Sequence, residues 1–500
     1  MKNYKITDSV DWAGVWHLPH IAEQKLIPGT LSWSNQRAIL QMQGAFTPLR
    51  GAIYGDERYE YPVVHGVAAD GNFVTILNGN QSTTNFSFGP AGLKQAEQIS
   101  STLVVLGQHV QEGTLYREVR ATIPGLEIWI DRTGVTREIV QPSAGSGWRE
   151  VYTFEHVPEE ESEVLEIGAK LAWGIGRVSS GNTVSEVNIV STATLRITTD
   201  VGKSLDWHLE QLSKVTTLLS FLAGVTMAPD RISARVLGSE SDVVLLVALR
   251  EAKYCTYKSR HDFFLCRNDM RTEISTVLAK WFEVYDRIAM PGQLALSVLG
   301  SEKLWLYIEF LSLMQALEGF HRATKQGFYT TLEQYDYAYR ALTNAIPIDL
   351  AGDHKDALKS RIKYGNEISL RKRLDELAAN LPATVRIKIF GTKGTVPQSW
   401  IATRNFYTHW DEASKAAVLD AQGMFNANVR MKHFLRVQYL LLIGIPEEAL
   451  AAALSNSCDE SQQLIQLNNA ELRARGQVPD GVGAIMHINE VANEGNGETR

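Results

Sequence analysis

Cysteine is scarce in this chain of 500 residues: Cys255, Cys266 and Cys458 stand far apart. That spacing excludes a disulfide framework and a zinc knuckle, and it suits a reducing cytoplasmic home. Long hydrophobic runs are also missing. No stretch approaches about 18 consecutive apolar residues, and the opening MKNYKITDSVDWAG lacks an apolar centre of signal-peptide length. Neither membrane insertion nor export is expected. Positive charge is in deficit, with 49 lysines and arginines against 56 carboxylates, a formal net charge of −7. This excludes a wholly basic nucleic-acid coat but leaves room for a local basic site. Gly174-Ile-Gly176 lacks the third glycine and following helix of a dinucleotide fingerprint. His17, His20 and His65 fit no metal-ligand spacing, so no metal or cofactor is assigned.

What is present divides by pattern. The length exceeds what one hydrophobic core usually serves, so several domains are expected. Residues 1–200 carry short alternating apolar runs broken by glycine, proline and asparagine, the pattern of a β-sandwich-like domain. Asp70-Gly71 and Asn78-Gly79 are of the type that closes hairpins. Trp12, Trp16 and Trp33 suit either a stacking platform for a sugar or base or, more commonly, a packed core.

Residues 201–298 read as a mixed α/β connector. Apolar positions from Trp207 to Leu222 recur at helical spacing with Gly224 as a stop, and Val243 to Leu249 suits a buried strand. Asn268 looks like the cap of a helix through Ile288, and Pro291-Gly292 like a boundary. Residues 299–475 read as an all-α bundle. Ser301 and Glu302 open a helix ending near Glu318 and Arg322; others are expected over Thr331–Ala345, Lys355–Tyr364, Leu370–Leu381 and Met424–Ile443. Residues 476–500 are rich in Gly, Asn and Glu without periodicity, as in a disordered tail. The whole is α+β and multidomain.

Charge is uneven. From Asp353 to Lys393 there are ten basic and five acidic residues, a local balance of +5. Such an excess is either a solvated helix face or an RNA-facing wall, in which Arg371, Arg373, Lys388 and Lys393 would grip phosphate. Residues 1–200, with 15 basic and 22 acidic side chains, are poorly suited to holding RNA.

The chemistry concentrates in Thr403 to Glu412, TRNFYTHWDE. On a helix Asn405 and His409 share a face, while Arg404 and His409 diverge by about 140°. An arginine grips phosphate in a fork, a histidine moves a proton near neutral pH, and an asparagine orients: together they suit phosphodiester cleavage. The spacing by itself is little better than chance in a chain of this composition.

Taken with its surroundings the motif resembles a known family. Arg404-Asn-Phe-Tyr-Thr-His409 lies in a helical bundle entered through Gln315-Ala-Leu-Glu318-Gly-Phe-His-Arg322. This is similar to HEPN ribonuclease domains, and most similar to those of ApeA-type anti-phage defence proteins. Gly14-Val-Trp16-His-Leu-Pro19, Gly29-Thr-Leu31 and Gln43-Gly-Ala-Phe46 resemble the N-terminal domain of that branch. The resemblance implies a metal-independent endoribonuclease acting on RNA, often tRNA, and arresting growth on phage infection. It implies a homodimer with two motifs facing one cleft, and a phage-derived trigger read by the N-terminal domain. Arg404, His409 and Asn405 carry over as catalytic, with Glu318, Arg322 and Tyr407 in support. Two other readings stand beside it: an RNA- or nucleotide-binding HEPN module that does not cut, and a carbohydrate- or protein-binding β-sandwich with a helical oligomerisation unit.

Overall fold

The computed structural model describes residues 4–20, 26–47, 59–89, 92–132, 134–140, 148–181, 185, 187–249, 257, 259–300, 304–410 and 412–477. The architecture is α+β, strand-rich in its N-terminal part and helical in its C-terminal part. Two compact units result: the first runs through Arg260 and takes in Ile274–Phe282, and the second is built mainly from Glu283 onward. The expected tail falls almost wholly outside the described residues, as do Ser301 and Glu302.

In the first unit β1 (Val10–His17), β2 (Ile27–Ser34), β3 (Arg37–Met42), β4 (Glu60–Ala68), β5 (Phe73–Gly89) and β6 (Gly92–Ser101) close into a ring. The order is β5-β4-β1-β2-β3-β6, with β6 returning to β5. The expected sandwich is therefore a barrel, because alternation within a strand is the same in both forms and closure depends on one long-range pairing. Local chemistry makes it possible. Asn35 and Gln36 both take positive φ (49° and 57°) in the β2–β3 turn, as a tight hairpin requires. Asp70-Gly71 turns β4 into β5, with Asn72 donating to Asp70 at 3.1 Å. Asn78-Gly79 does not turn a hairpin. Asn78 (φ 52°) bends β5 between its pairing with β7 (Leu103–Leu106), through Leu77, and its pairing with β6, from Asn80.

Beyond β7 the sheet continues open through β15 (Asp242–Val247), β14 (Arg231–Val236), β8 (Leu115–Thr122), β13 (Val187–Ser204), β12 (Ala169–Gly181) and β11 (Glu160–Val164). A separate pair is formed by β9 (Val135–Val140) and β10 (Arg149–Phe154). The stretch read as a connector thus supplies two interior strands of this sheet. Short α1 (Leu126–Ile130) follows β8, and α2 (Leu205–Ala223) follows β13. Ser204 caps α2 by accepting from Trp207, and Gly224 ends it at φ 79°.

Trp12, Trp16 and Trp33 are buried, so they pack the core and offer no stacking platform. A Cβ at Gly66 would stand 2.3 Å from the Trp16 ring; glycine is what lets β4 pass that indole. With the tryptophans inside, the support for a carbohydrate-binding surface is gone.

Helix α3 (Ile274–Leu299) starts at Glu273, not at Asn268, and runs on through Pro291. Asn268 instead binds Asp131. Pro291-Gly292 is helix interior and marks no boundary. The second unit follows with α4 (Leu306–Thr324), α5 (Leu332–Asn344), α6 (Gly352–Lys363), α7 (Leu370–Ala379), α8 (Ala383–Phe390), α9 (Gln398–His409), α10 (Ala421–Leu442), α11 (Glu447–Ala453) and α12 (Asp459–Ala474). None of the described helices is long and apolar enough to cross a membrane.

The core of this unit forms around α10, of which fourteen residues are buried, among them Arg430, His433 and Arg436. Each charge has a partner: Arg430 pairs with Glu471 at 2.6 Å, and Arg436 with Glu460. His433 Nε2 donates to the Glu460 carbonyl at 3.0 Å. Burial holds the His433 imidazole down at about 4. The unfolded chain would protonate it near 6.5, so unfolding takes up a proton as the pH falls below that value. Stability is therefore lost between pH 6.5 and 4, by on the order of 3 kcal/mol. Replacing His433 with glutamine should flatten that part of a plot of urea midpoint against pH. An unchanged slope would show that acid acts elsewhere.

Candidate functional site

Helix α9 begins behind Pro397 and buries Trp400, Ile401 and Thr403. The Thr403 hydroxyl accepts from Leu419 N at 2.9 Å and fixes the helix from its inner side. Trp410 ends α9 in the left-handed region (φ 53°), its N–H reaching Phe406 O at 2.7 Å. His409 is therefore the last helical residue, with its ring in solvent. One turn back, Arg404 is half-buried.

The two side chains meet. Arg404 Nη1 lies 3.5 Å from His409 Nε2 and 3.4 Å from Asn405 Oδ1. The divergence of about 140° expected from helix geometry is overcome by the length of the arginine, which folds along the helix toward its end. Arg404 Nη2 faces Glu318 Oε2 on α4 at 3.7 Å. All three contacts are at or beyond the limit of ordinary hydrogen bonds. Arg404 is aimed without being locked, and an incoming phosphate can take its donors.

Behind it the charges are held much more tightly. Glu318 Oε1 accepts from Arg322 Nε at 3.1 Å and Nη2 at 3.0 Å. Arg322 Nη1 donates to Glu367 at 2.8 Å, and the same carboxylate oxygen accepts from Arg373 Nη2 at 3.3 Å. Arg373 Nη1 reaches His321 Nδ1 at 3.2 Å, while His321 Nε2 meets Glu376 at 2.8 Å. Arginine only donates, so His321 Nδ1 accepts and Nε2 carries the hydrogen. Burial, outweighing the Glu376 carboxylate, holds His321 below its ordinary value, consistent with that neutral tautomer. The result is an alternating series from the exposed His409 inward: Arg404, Glu318, Arg322, Glu367, Arg373, His321, Glu376. Its inner members were not legible in the sequence. They come together because α7 packs on α4, and no local spacing encodes that.

The other candidates separate. Tyr407 stacks on Tyr307 with centroids 5.7 Å apart, next to Phe406 and Trp410. Arg373 is 1 % exposed and belongs to the core, so it cannot grip RNA from a surface. Arg371 pairs with Asp375 at 2.7 Å and donates to Gln398 at the start of α9. Lys388 donates to Ser455, and Lys393 is exposed on the turn after α8. Neither lysine hydrogen-bonds or ion-pairs with the Arg404 group. In the first unit His17 and His65 do meet, but with His109 in place of His20.

Compared with known families, residues 11–281 match ApeA N-terminal domain 1, which is more than half of the chain. Residues 311–449 match the Apea-like HEPN domain. No curated protein and no solved structure matches the chain. The second match spans Glu318, Arg322, Arg404, Asn405 and His409 together.

Proposed function

Because this chain belongs to the ApeA-type HEPN defence family, we propose that it is an endoribonuclease that cuts RNA by acid–base catalysis without a catalytic metal. The observation that carries this is the approach of Arg404 to His409 at 3.5 Å, at an exposed helix end, with Asn405 and Glu318 aiming the guanidinium.

RNA supplies its own nucleophile. A histidine takes the proton of the 2′-OH, the O2′–P bond forms, and the P–O5′ bond breaks as a second imidazolium protonates the leaving oxygen. The products are a 2′,3′-cyclic phosphate and a 5′-OH. Arg404 stays charged throughout and offsets the charge that builds on the phosphorane oxygens. Among the described residues, the single group of three side chains able to hold a metal is His17, His65 and His109 in the first unit, so no such set surrounds Arg404. The substrate we favour is tRNA, whose cutting would arrest growth before phage matures. Residues 1–200, with more acidic than basic side chains, serve as sensor of a phage-derived trigger.

The test is incubation of purified protein with total RNA in EDTA. Cleavage continues, and the fragments carry 5′-OH ends that a kinase labels directly and 2′,3′-cyclic phosphate ends that block 3′ ligation until a 3′-phosphatase removes them. Cleavage that stops in EDTA and returns with magnesium would overturn the reading.

A further inference from the structure

Three histidines from distant parts of the first unit converge on one point. His17 is the last residue of β1, His65 lies opposite it on β4, and His109 sits in the turn after β7. Their ligand atoms, one per ring, all lie within 4.8 Å of one another. The His65 and His109 rings stack at 4.1 Å and 8°, and His17 stands edge-on to both.

The free nitrogens are defined by the occupied ones. His65 Nε2 is 2.8 Å from Val110 O, and His109 Nε2 is 3.0 Å from Gly66 O. Carbonyls only accept, so both Nε2 atoms carry hydrogen and both Nδ1 lone pairs are left over. His17 Nδ1 is buried with no hydrogen-bond partner. A ring N–H held by a backbone carbonyl, which leaves the opposite nitrogen free to coordinate, is the arrangement that orients imidazole for a metal.

We propose that His17, His65 and His109 bind one divalent transition-metal ion of the zinc class. Three imidazoles and no carboxylate or thiolate favour zinc over magnesium or calcium. Tetrahedral coordination at about 2.0–2.1 Å places ligand nitrogens roughly 3.4 Å apart, so on binding the rings draw inward by about an ångström and the stacked His65 and His109 rings turn out of parallel. Three protein ligands leave a fourth position on the side where His17 and His109 are partly exposed. The His109 turn is already pinned, Gly107 N to Phe73 O at 2.8 Å and Val110 N to Thr75 Oγ1 at 3.2 Å. The ion then ties that turn to β1 and β4.

The experiment uses the full chain without a purification tag, stripped with EDTA, dialysed and titrated with zinc or cobalt. One equivalent should bind, cobalt should give visible ligand-field bands of a tetrahedral nitrogen site, and zinc should raise the melting temperature. His17→Gln and His109→Gln, at partly exposed positions, should cut bound metal at least tenfold with unchanged circular dichroism; His354→Gln should not. His65 is buried in the barrel, so the test uses the two partly exposed positions. Absence of cobalt bands at micromolar protein with equimolar metal, or equal binding by His109→Gln, overturns the site. These readouts are independent of RNA cleavage, so the metal site and the nuclease stand or fall separately.

Discussion

Arg404→Ala and His409→Ala should each lower RNA cleavage by about 10²-fold or more and leave the protein folded. The two halves of that expectation have separate grounds. Folding survives because α9 is held by Trp400, Ile401 and Thr403, none of which is touched. His409 lies in solvent, and the side chain of Arg404 is 29 % exposed. Removing Arg404 does not strand Glu318, which keeps Arg322 at 3.0–3.1 Å. On the proposed mechanism cleavage should collapse, because alanine at 409 would remove the proton carrier and alanine at 404 the fixed charge facing the phosphate. Arg404→Lys restores charge without the fork and should recover only part of the rate. Circular dichroism, single-turnover cleavage and growth on induction measure all three consequences. Near wild-type cleavage by either alanine variant would place the active site elsewhere.

What the sequence made legible follows the range of the forces involved. The motif on α9 spans six residues, and helix periodicity was enough to place Asn405 and His409 together. The end of α2 was readable for the same reason, since Gly224 acts locally. Arg373 was misread because a surface lysine and a core arginine look alike in a charge count; only the packing of α7 on α4 shows that its partners are Glu367 and His321. Asn78-Gly79 carries the chemistry of a hairpin turn, yet the pairing of β5 first with β7 and then with β6 turns it into a bend. His109 had no signal at all, because its nearness to His17 and His65 depends on the barrel's closure. Closure is a long-range property, and alternation within single strands does not report it.

The working unit should be a homodimer, with specific activity that falls about in proportion to concentration once the protein is diluted below its dissociation constant. The 140° divergence expected from the sequence, by which one copy would struggle to place Arg404 and His409 on one phosphate, is not an obstacle, since they lie 3.5 Å apart. The count of protons remains. The reaction needs a base for the 2′-OH and an acid for the leaving oxygen, and one motif supplies a single histidine. In the proposed dimer a two-fold axis would bring a second motif into the same cleft, because an isologous interface repeats every contact. The second unit also has apolar surface to bury. Trp305 and Trp410 are 73 % and 72 % exposed, beside the stacked Tyr307 and Tyr407. Helices α5 and α6 bury no residue at all in one copy, although Leu332, Tyr337 and Leu342 are on α5. Phe434, by contrast, is core and contributes nothing to an interface. Exposed aromatic side chains grouped beside the motif suit such an interface. Trp410→Glu, placed next to the motif, should lower both dimer mass and activity, and activity should return in part as the variant is concentrated. Sedimentation velocity and cleavage across a dilution series read the two quantities on one sample. A monomer whose specific activity stays constant on dilution would remove the shared cleft, and a second proton carrier would then have to be sought within one copy.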